Sequence, residues 1–292
     1  MKESEKNSSS FKKVLIQCLE KLQHVPQKIH WRAFLDLADF AKRESKFEEA
    51  RNLFHIVSII QPYAYQGWLE FSKMEEECGN QNVSRNILLQ GLKFNPLNEN
   101  LFIKAIKVEE KIGNFTEIRN MIKKIMDAPI EKTWRILLEG ALFEGRTGNR
   151  EAARSQFKHL LRKCKTHGPI YLEASKFEER ENSLEQSIDL CEEGLEYNVK
   201  YSPLWFHYLK LYEKSSERMK EQKFEKLSVI ISDMFHNISK EFHWKVSIEL
   251  AQMLDRLGHD KLAKYHLSNA LYESPDNVKW KLWLVASRIM LN

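Results

Sequence analysis

The stretch EKIGNFTEIRNMI, residues 110–122, decides the fold because most of its pattern occurs twice more in the chain. Residues 76–88 are EECGNQNVSRNIL and residues 144–157 are EGRTGNREAARSQF, each with Gly-Asn and an arginine six residues after the glycine. The glycines are Gly79, Gly113 and Gly148, so the intervals are 34 and 35 residues. A fixed period of this length is typical of stacked helical hairpins.

A register set mainly on large apolar residues extends the repeat over most of the chain. The start positions are Phe34, Trp68, Phe102, Leu137, Tyr171, Trp205, Ser247 and Trp283. The first five intervals are 34 or 35 residues, whereas the interval after Trp205 is 42 residues and holds a charged insertion near 214–226. All seven tryptophans lie at the start position or three residues before it. Because these positions share one helix face, we expect the tryptophans to mark a single buried seam.

Each repeat has the pattern of two helices. In most repeats a small residue lies four positions after the start, which lets a neighbouring helix approach closely; Ile106 and Leu209 break this rule and predict wider packing. Gly-Asn ends the first helix, because glycine tolerates a left-handed backbone and asparagine can cap the next helix. The second helix has a small residue and, four positions later, an apolar one, as at Ala50 and Phe54.

This pattern predicts an all-α fold, a right-handed α-solenoid of stacked antiparallel helix hairpins, because a lone hairpin cannot bury its apolar face. We expect residues 1–10 to be a disordered tail and residues 11–292 to form one repeat array. Residues 11–25 match a second helix, and residues 280–292 match a first helix without its partner. Uncovered apolar faces at the two ends predict a homodimer.

The composition favours a soluble protein without catalytic chemistry. The chain has a net charge of +5 and four cysteines with no CxxC pair, which argues against a polycation, a disulfide framework and a zinc ribbon. It has neither an apolar run long enough to cross a membrane nor a nucleotide-binding, hydrolase or metalloprotease motif. We therefore expect no enzyme activity, no cofactor, no metal and no membrane partner.

An acidic position and a basic position recur in the repeats. The glutamates, seven residues after the start, are Glu75, Glu109, Glu144 and Glu178, and the arginines of the second helix are Arg51, Arg85, Arg119 and Arg154. We expect the glutamate and the arginine of each repeat to pair and so to tie its two helices together.

Aromatic residues and glutamate in the first helix, with small-Arg-x-x-apolar in the second, resemble the half-a-tetratricopeptide (HAT) repeat. The resemblance covers the chain from about residue 14 and weakens after Trp205. It implies a nuclear scaffold in pre-mRNA splicing, 3′-end processing or rRNA processing, with protein subunits and RNA as candidate partners. The alternative is a tetratricopeptide-like adaptor that grips acidic tails of chaperone or trafficking proteins, and organellar or cytoplasmic locations stay open.

Two sets of basic residues are candidates for partner binding. Lys73, Lys107, Lys176 and Lys210 lie five residues after the start, and we expect them to form a ladder on the inner face. We expect a second set to form an outer patch: Lys123, Lys124, Arg150, Lys158, Arg162 and Lys163. Residues 101–170 hold 15 lysines and arginines against 8 acidic residues, and residues 171–200 hold 3 against 9. This asymmetry favours docking on RNA or on an acidic protein. The competing hypothesis is that Glu76, Glu110, Glu179 and Glu213 neutralise the ladder three residues on.

Overall fold

The computed structural model describes residues 13–216 and 223–291, and within these ranges the regular secondary structure is helical, with sixteen α-helices, two short 3₁₀ helices and no strand. The predicted tail at 1–10 and residues 217–222 of the predicted insertion lie outside the described residues. The helices form two compact units, Met1–Phe143 and Glu144–Asn292. The predicted all-α repeat fold is confirmed.

The helices follow the predicted alternation of first and second helices. The first unit contains α1 (13–22), α2 (His30–Arg43), α3 (Phe47–Ile60), α4 (Tyr65–Glu77), α5 (Gln81–Phe94), α6 (Glu99–Ile112) and α7 (Phe115–Ile125). Helix α8 (Ile130–Arg146) contains the boundary between the units. The second unit contains α9 (Arg150–Lys163), α10 (Gly168–Arg180), α11 (Leu184–Tyr197), α12 (Ser202–Ser216), α13 (Lys223–Asn237), α14 (His243–Arg256), α15 (Asp260–Glu273) and α16 (Asp276–Leu291). Short 3₁₀ helices, Gln27–Ile29 and Lys240–Phe242, precede α2 and α14.

Within each unit, a second helix packs between the first helix of its own repeat and the first helix of the next. Helix α5 contacts α4 and α6, and α11 contacts α10 and α12. The predicted small residues lie at these contacts: Ala50, Ser84 and Ser187 are all fully buried. Small side chains at these positions let each second helix approach two neighbours at once.

The turn between the two helices of a repeat uses the left-handed backbone that the glycines predict. Gly79, Gly113 and Gly148 have φ angles of 82°, 88° and 79°. Ser45 and Asn182 occupy the same place in two other repeats, with φ angles of 58° and 62°. The turn is thus set by the hairpin geometry, and glycine is the residue that adopts it without strain.

The predicted capping role of the asparagines is wrong. Asn80 makes no side-chain cap; its Nδ2 instead donates to Glu75 Oε2, five residues back, at 2.8 Å. Asn114 makes the same bond to Glu109 at 2.8 Å. A cap would need the asparagine Oδ1 to accept from a backbone N–H of the next helix, but the side chain is turned so that its Nδ2 satisfies the buried carboxylate instead.

The prediction of one buried tryptophan seam is wrong at the end of the array. Trp68 and Trp205 are buried, but Trp280 and Trp283 are 59% and 62% exposed. Helix α16 packs against α14 and α15 through Ala286 and Ile289. The two tryptophans therefore lie off the face of α16 that enters the core.

Candidate functional site

The recurrent glutamate is buried beneath an arginine of the preceding repeat. The described pairs are Arg51–Glu75, Arg85–Glu109 and Arg154–Glu178, each with partners 24 residues apart. Arg85 Nε lies 2.6 Å from Glu109 Oε1, and Arg154 holds Glu178 through two bonds of 2.9 and 2.7 Å. The prediction that each pair ties the two helices of one repeat is wrong: the pair joins successive repeats.

Helix packing explains why each arginine binds the glutamate of the next repeat. In the three described pairs the second helix of one repeat lies against the first helix of the next, α3 against α4, α5 against α6 and α9 against α10, so the guanidinium reaches the carboxylate buried there. The carboxylate of Glu109 also accepts a bond from Asn114, which leaves it with two donors at 1% exposure. The hydrogen bond to Glu75 raises the pKa of the Arg51 guanidinium, which stays charged. The three described pairs are therefore structural links between successive repeats.

A second set of ion pairs joins first helices across repeats. Glu76 accepts hydrogen bonds from Lys104 and Lys111, Glu179 binds Lys214, and Glu213 binds Arg256 at 2.7 Å. Burial works to raise the pKa of Glu76, and the hydrogen bonds from its two lysines outweigh that effect and lower it. These glutamates were expected to neutralise the lysines three residues before them, and that expectation is wrong at Glu76, Glu179 and Glu213. Their carboxylates instead connect neighbouring hairpins.

The four ladder lysines fall into two groups. Lys73 and Lys176 bind glutamates three residues before them, Glu70 at 2.7 Å and Glu173 at 2.8 Å. Lys107 and Lys210 are exposed, and in residues 13–216 and 223–291 neither has a hydrogen bond or an ion pair. Two of the four lysines therefore keep a charge that a partner is able to neutralise.

The predicted members of the outer patch belong to two helices, one in each unit. Lys123 and Lys124 are exposed on α7, and Lys158, Arg162 and Lys163 are exposed on α9. Arg150, also on α9, forms an ion pair with Glu181. Each unit thus carries exposed members of the predicted set, and one predicted member, Arg150, is already paired.

A cleft of about 780 Å³ lies among α10, α12 and α14, and sequence reasoning did not find it. Its apolar lining includes Leu172, Phe206, Trp244 and Ile248, and two ladder lysines, Lys176 and Lys210, also line it. The sequence signals were the 42-residue interval after Trp205 and the bulky Leu209, at a position where most other repeats have a small residue. Both signals predict wider spacing of the first helices, but neither predicts which side chains line the space.

His207 is the buried polar group of this cleft. It is 9% exposed and lines the cleft, and its Nε2 has no hydrogen-bond partner among the described residues. Burial lowers the pKa of His207; the charge of Glu179 opposes this effect, and the charge of Lys176 adds to it. The imidazole is therefore neutral at pH 7 and offers one ring nitrogen to a hydrogen bond.

The described residues lack the arrangements that a metal site and a membrane-spanning helix require. Residues 13–216 and 223–291 contain no group of three or more histidine, cysteine or acidic side chains that is arranged to hold a metal ion. No helix in these ranges is both long enough and apolar enough to cross a bilayer.

The stacked hairpins and the links between them define a helical-repeat protein of the tetratricopeptide type. The sequence matches the family described as PRP6, TPR-like domain over residues 24–292, and the chain belongs to that family. This confirms the expected membership of the HAT and tetratricopeptide-like repeat group. The family and the fold are those of scaffolds for protein interaction, which are typically non-catalytic.

Known relatives support the same assignment. A TPR-containing protein of Dictyostelium discoideum is 40% identical over 259 residues, which cover 89% of this chain but only 20% of the relative. The chain therefore spans about a fifth of the length of that protein. Yeast Tom70 superposes with a TM-score of 0.58 at 11% identity, covering 97% of this chain and 59% of Tom70. The C-terminal part of a TPR repeat-containing protein from Cytophaga hutchinsonii gives a TM-score of 0.51 at 12% identity, covering 86% of this chain and 98% of that structure. At such identities the two structures show the fold alone.

Proposed function

We propose that this chain is a non-catalytic scaffold that holds protein subunits in a nuclear RNA-processing assembly. The observation that carries the proposal is the buried Arg–Glu link between successive repeats, the feature by which the chain resembles HAT proteins. Membership of the PRP6 TPR-like family supports the same role. The assembly is one of pre-mRNA splicing, 3′-end processing or rRNA processing.

The links give a physical basis for scaffolding. A helical array in which each repeat contacts only its neighbours bends easily unless those contacts are specific in direction. Charge-assisted hydrogen bonds such as those of Arg154 with Glu178 are directional, so they fix each hairpin against the next. A fixed stack presents its binding groups to a partner at low entropic cost.

Affinity purification tests this proposal directly. The tagged chain is purified from its own cells with and without ribonuclease, and the bound proteins and RNA are identified. We expect RNA-processing subunits to remain bound after ribonuclease treatment. If no such subunit and no RNA co-purify, the proposed role in RNA processing is wrong.

A second candidate function is an adaptor for acidic peptide tails. It is favoured by the unpaired state of Lys107 and Lys210 among the described residues. Co-purified chaperone or trafficking proteins, with no RNA and with binding lost on charge reversal at both lysines, would support the adaptor over the RNA-processing scaffold.

RNA is a further candidate partner, through the basic surface of α9. Lys158, Arg162 and Lys163 lie within six residues of one another and are all exposed. Phosphate contacts release counterions, so RNA bound there should dissociate as salt rises. RNA binding that is unchanged when these three residues become glutamine would exclude this surface.

Self-association is also proposed, through the apolar surface of α16. Trp280, Trp283, Leu284 and Met290 are each 59–64% exposed on this helix. Exposed apolar groups of this size are typical of association surfaces. A monomeric mass by light scattering at high micromolar concentration would refute the homodimer.

A further inference from the structure

We infer that the cleft among α10, α12 and α14 docks an acidic peptide segment of a partner protein, with one apolar side chain of that segment seated in the cleft. The inference rests on the proposed function, because it assigns a place and a ligand chemistry to protein binding. Three features of the cleft support it: its apolar lining, its charge and an unsatisfied buried nitrogen.

The lining and the volume suit an apolar side chain with its neighbours. Leu172, Phe206, Trp244 and Ile248 supply apolar surface on three different helices, and Phe242 beside them is 39% exposed. A cleft of about 780 Å³ lies within the range of sites that bind small ligands or short peptide segments. Burial of this surface by an apolar side chain of the ligand favours binding.

The charge of the lining selects an acidic segment. Lys176, Lys210 and Lys245 contribute three positive charges, whereas Glu249 contributes one negative charge. Lys176 is already paired with Glu173, but Lys210 has no partner in the described chain. A carboxylate beside an apolar side chain of the ligand is able to neutralise Lys210 while the apolar group fills the cleft.

His207 favours a ligand that can form a hydrogen bond inside the cleft. Its buried Nε2 lacks a hydrogen-bond partner, which is costly for a group removed from water. A peptide backbone provides both donors and acceptors, so a peptide bound in this cleft is able to satisfy either tautomer of the imidazole.

The same observations favour a peptide over single-stranded RNA. Bases bind to exposed aromatic ring faces along a basic track. Here the ammonium of Lys245 already lies 4.7 Å from the ring centre of Phe242 and 5.4 Å from that of Trp244. Glu249 in the lining also opposes a nucleic acid, which carries a charge at every phosphate, more than a peptide that places a single carboxylate at Lys210.

A random-peptide selection tests the ligand chemistry. A phage-displayed library of random 12-residue peptides is panned against the 292-residue chain, and an enriched peptide is labelled with fluorescein for anisotropy titration. We expect enriched sequences to combine acidic residues with an apolar residue. Enrichment of basic or uncharged sequences, or of none, would overturn the inference.

Exposed substitutions test the place of binding without disturbing the core. Lys210→Glu and Phe242→Ala should each weaken peptide binding by about tenfold, the effect of losing about 1.4 kcal/mol. Lys107→Glu is the matched control, because Lys107 has the same repeat position and exposure but does not line the cleft. Lys264→Glu, on α15, controls for the net charge of the second unit. Both controls should leave the affinity unchanged within about twofold, and circular dichroism verifies that all variants are folded.

The outcomes separate the cleft from the other hypotheses. Equal losses from Lys107→Glu and Lys210→Glu would assign binding to the whole lysine ladder and overturn the cleft. Binding of fluorescein-labelled 12-nucleotide oligouridine that is weakened by Phe242→Ala, in the absence of a cleft-binding peptide, would assign the cleft to RNA. If the cell partners of the affinity purification persist with Lys210→Glu and Phe242→Ala combined, the cleft inference fails and the scaffold stands. If the wild-type chain retains no protein partner, the proposed function itself fails.

Discussion

The ion pair between Arg85 and Glu109 is the contact whose removal we expect to lower the free energy of unfolding of the first unit most clearly. Glu109 is 1% exposed and accepts hydrogen bonds from Arg85 at 2.6 Å and from Asn114 at 2.8 Å. Glu109→Gln keeps the shape of the side chain but removes its charge. Glutamine has one acceptor oxygen, so Arg85 keeps an acceptor at Oε1 but loses its ion pair, and Asn114, which donates to Oε2, keeps a neutral bond only by turning its amide to accept from the new Nε2.

The magnitude follows from these two bonds. A hydrogen bond to a charged group contributes about 1.5–3 kcal/mol and a neutral one about 0.5–1.5 kcal/mol, so the two bonds together lose about 2–3 kcal/mol. The Arg85 side chain is 31% exposed, and water partly solvates the released guanidinium. We therefore expect Glu109→Gln to lower the free energy of unfolding by about 2 kcal/mol.

Substitution of the arginine partner should lower the free energy of unfolding by more than Glu109→Gln does. Arg85→Ala leaves the buried carboxylate of Glu109 with Asn114 alone, and a stranded buried charge costs about 3–5 kcal/mol. We expect about 3 kcal/mol here, because Arg85 is only partly buried. The double variant no longer contains a stranded charge, so it should also cost about 3 kcal/mol, which gives a coupling energy of about 2 kcal/mol.

Urea unfolding followed by circular dichroism measures all three variants. The control is Glu70→Gln, whose partner Lys73 lies 2.7 Å away on the same helix, with both side chains substantially exposed. A pair of this kind contributes less than about 0.5 kcal/mol. A loss of stability from Glu109→Gln no larger than that from Glu70→Gln, or additive effects of Glu109→Gln and Arg85→Ala, would refute the expected coupling.

Three further predictions concern packing, titration and thiol reactivity. A Cβ on Gly91 would lie 2.8 Å from Cγ of Trp68, so Gly91→Ala should lower the free energy of unfolding by about 1–3 kcal/mol in urea melts. Burial lowers the pKa of His266, so this histidine binds a proton more readily in the unfolded chain than in the folded one. The free energy of unfolding should therefore fall as the pH drops below about 6.5. His266→Phe should reduce that fall, as measured by urea midpoints from pH 8 to pH 5. Burial raises the pKa of Cys191 to about 12, so this thiol should react with Ellman's reagent only on unfolding, whereas half-buried Cys78 should react in the native chain; rapid native labelling of Cys191, located by mass spectrometry, would contradict this.

Periodicity in the sequence was enough to predict the helices, their alternation and most of the core. Gly79, Gly113 and Gly148 predicted the left-handed turns because that backbone conformation is a local property of glycine. Ala50 and Phe54 predicted a close helix contact because residues four apart share one face of a helix. These features depend on short stretches of chain, which is why one sequence sufficed.

The choice of partners was decided only by tertiary structure. The sequence predicted that a recurrent glutamate pairs with a recurrent arginine, but not which glutamate pairs with which arginine. The stacking of α5 against α6 joins Arg85 to Glu109, 24 positions away in the next repeat. The cleft near Leu172 and Lys210 arose in the same way, since its lining comes from three helices that are far apart in sequence. The period of a sequence fixes what each hairpin is, because helix and turn preferences are local. Which side chains meet depends on how successive hairpins pack, and that is set by the fit of whole helix surfaces.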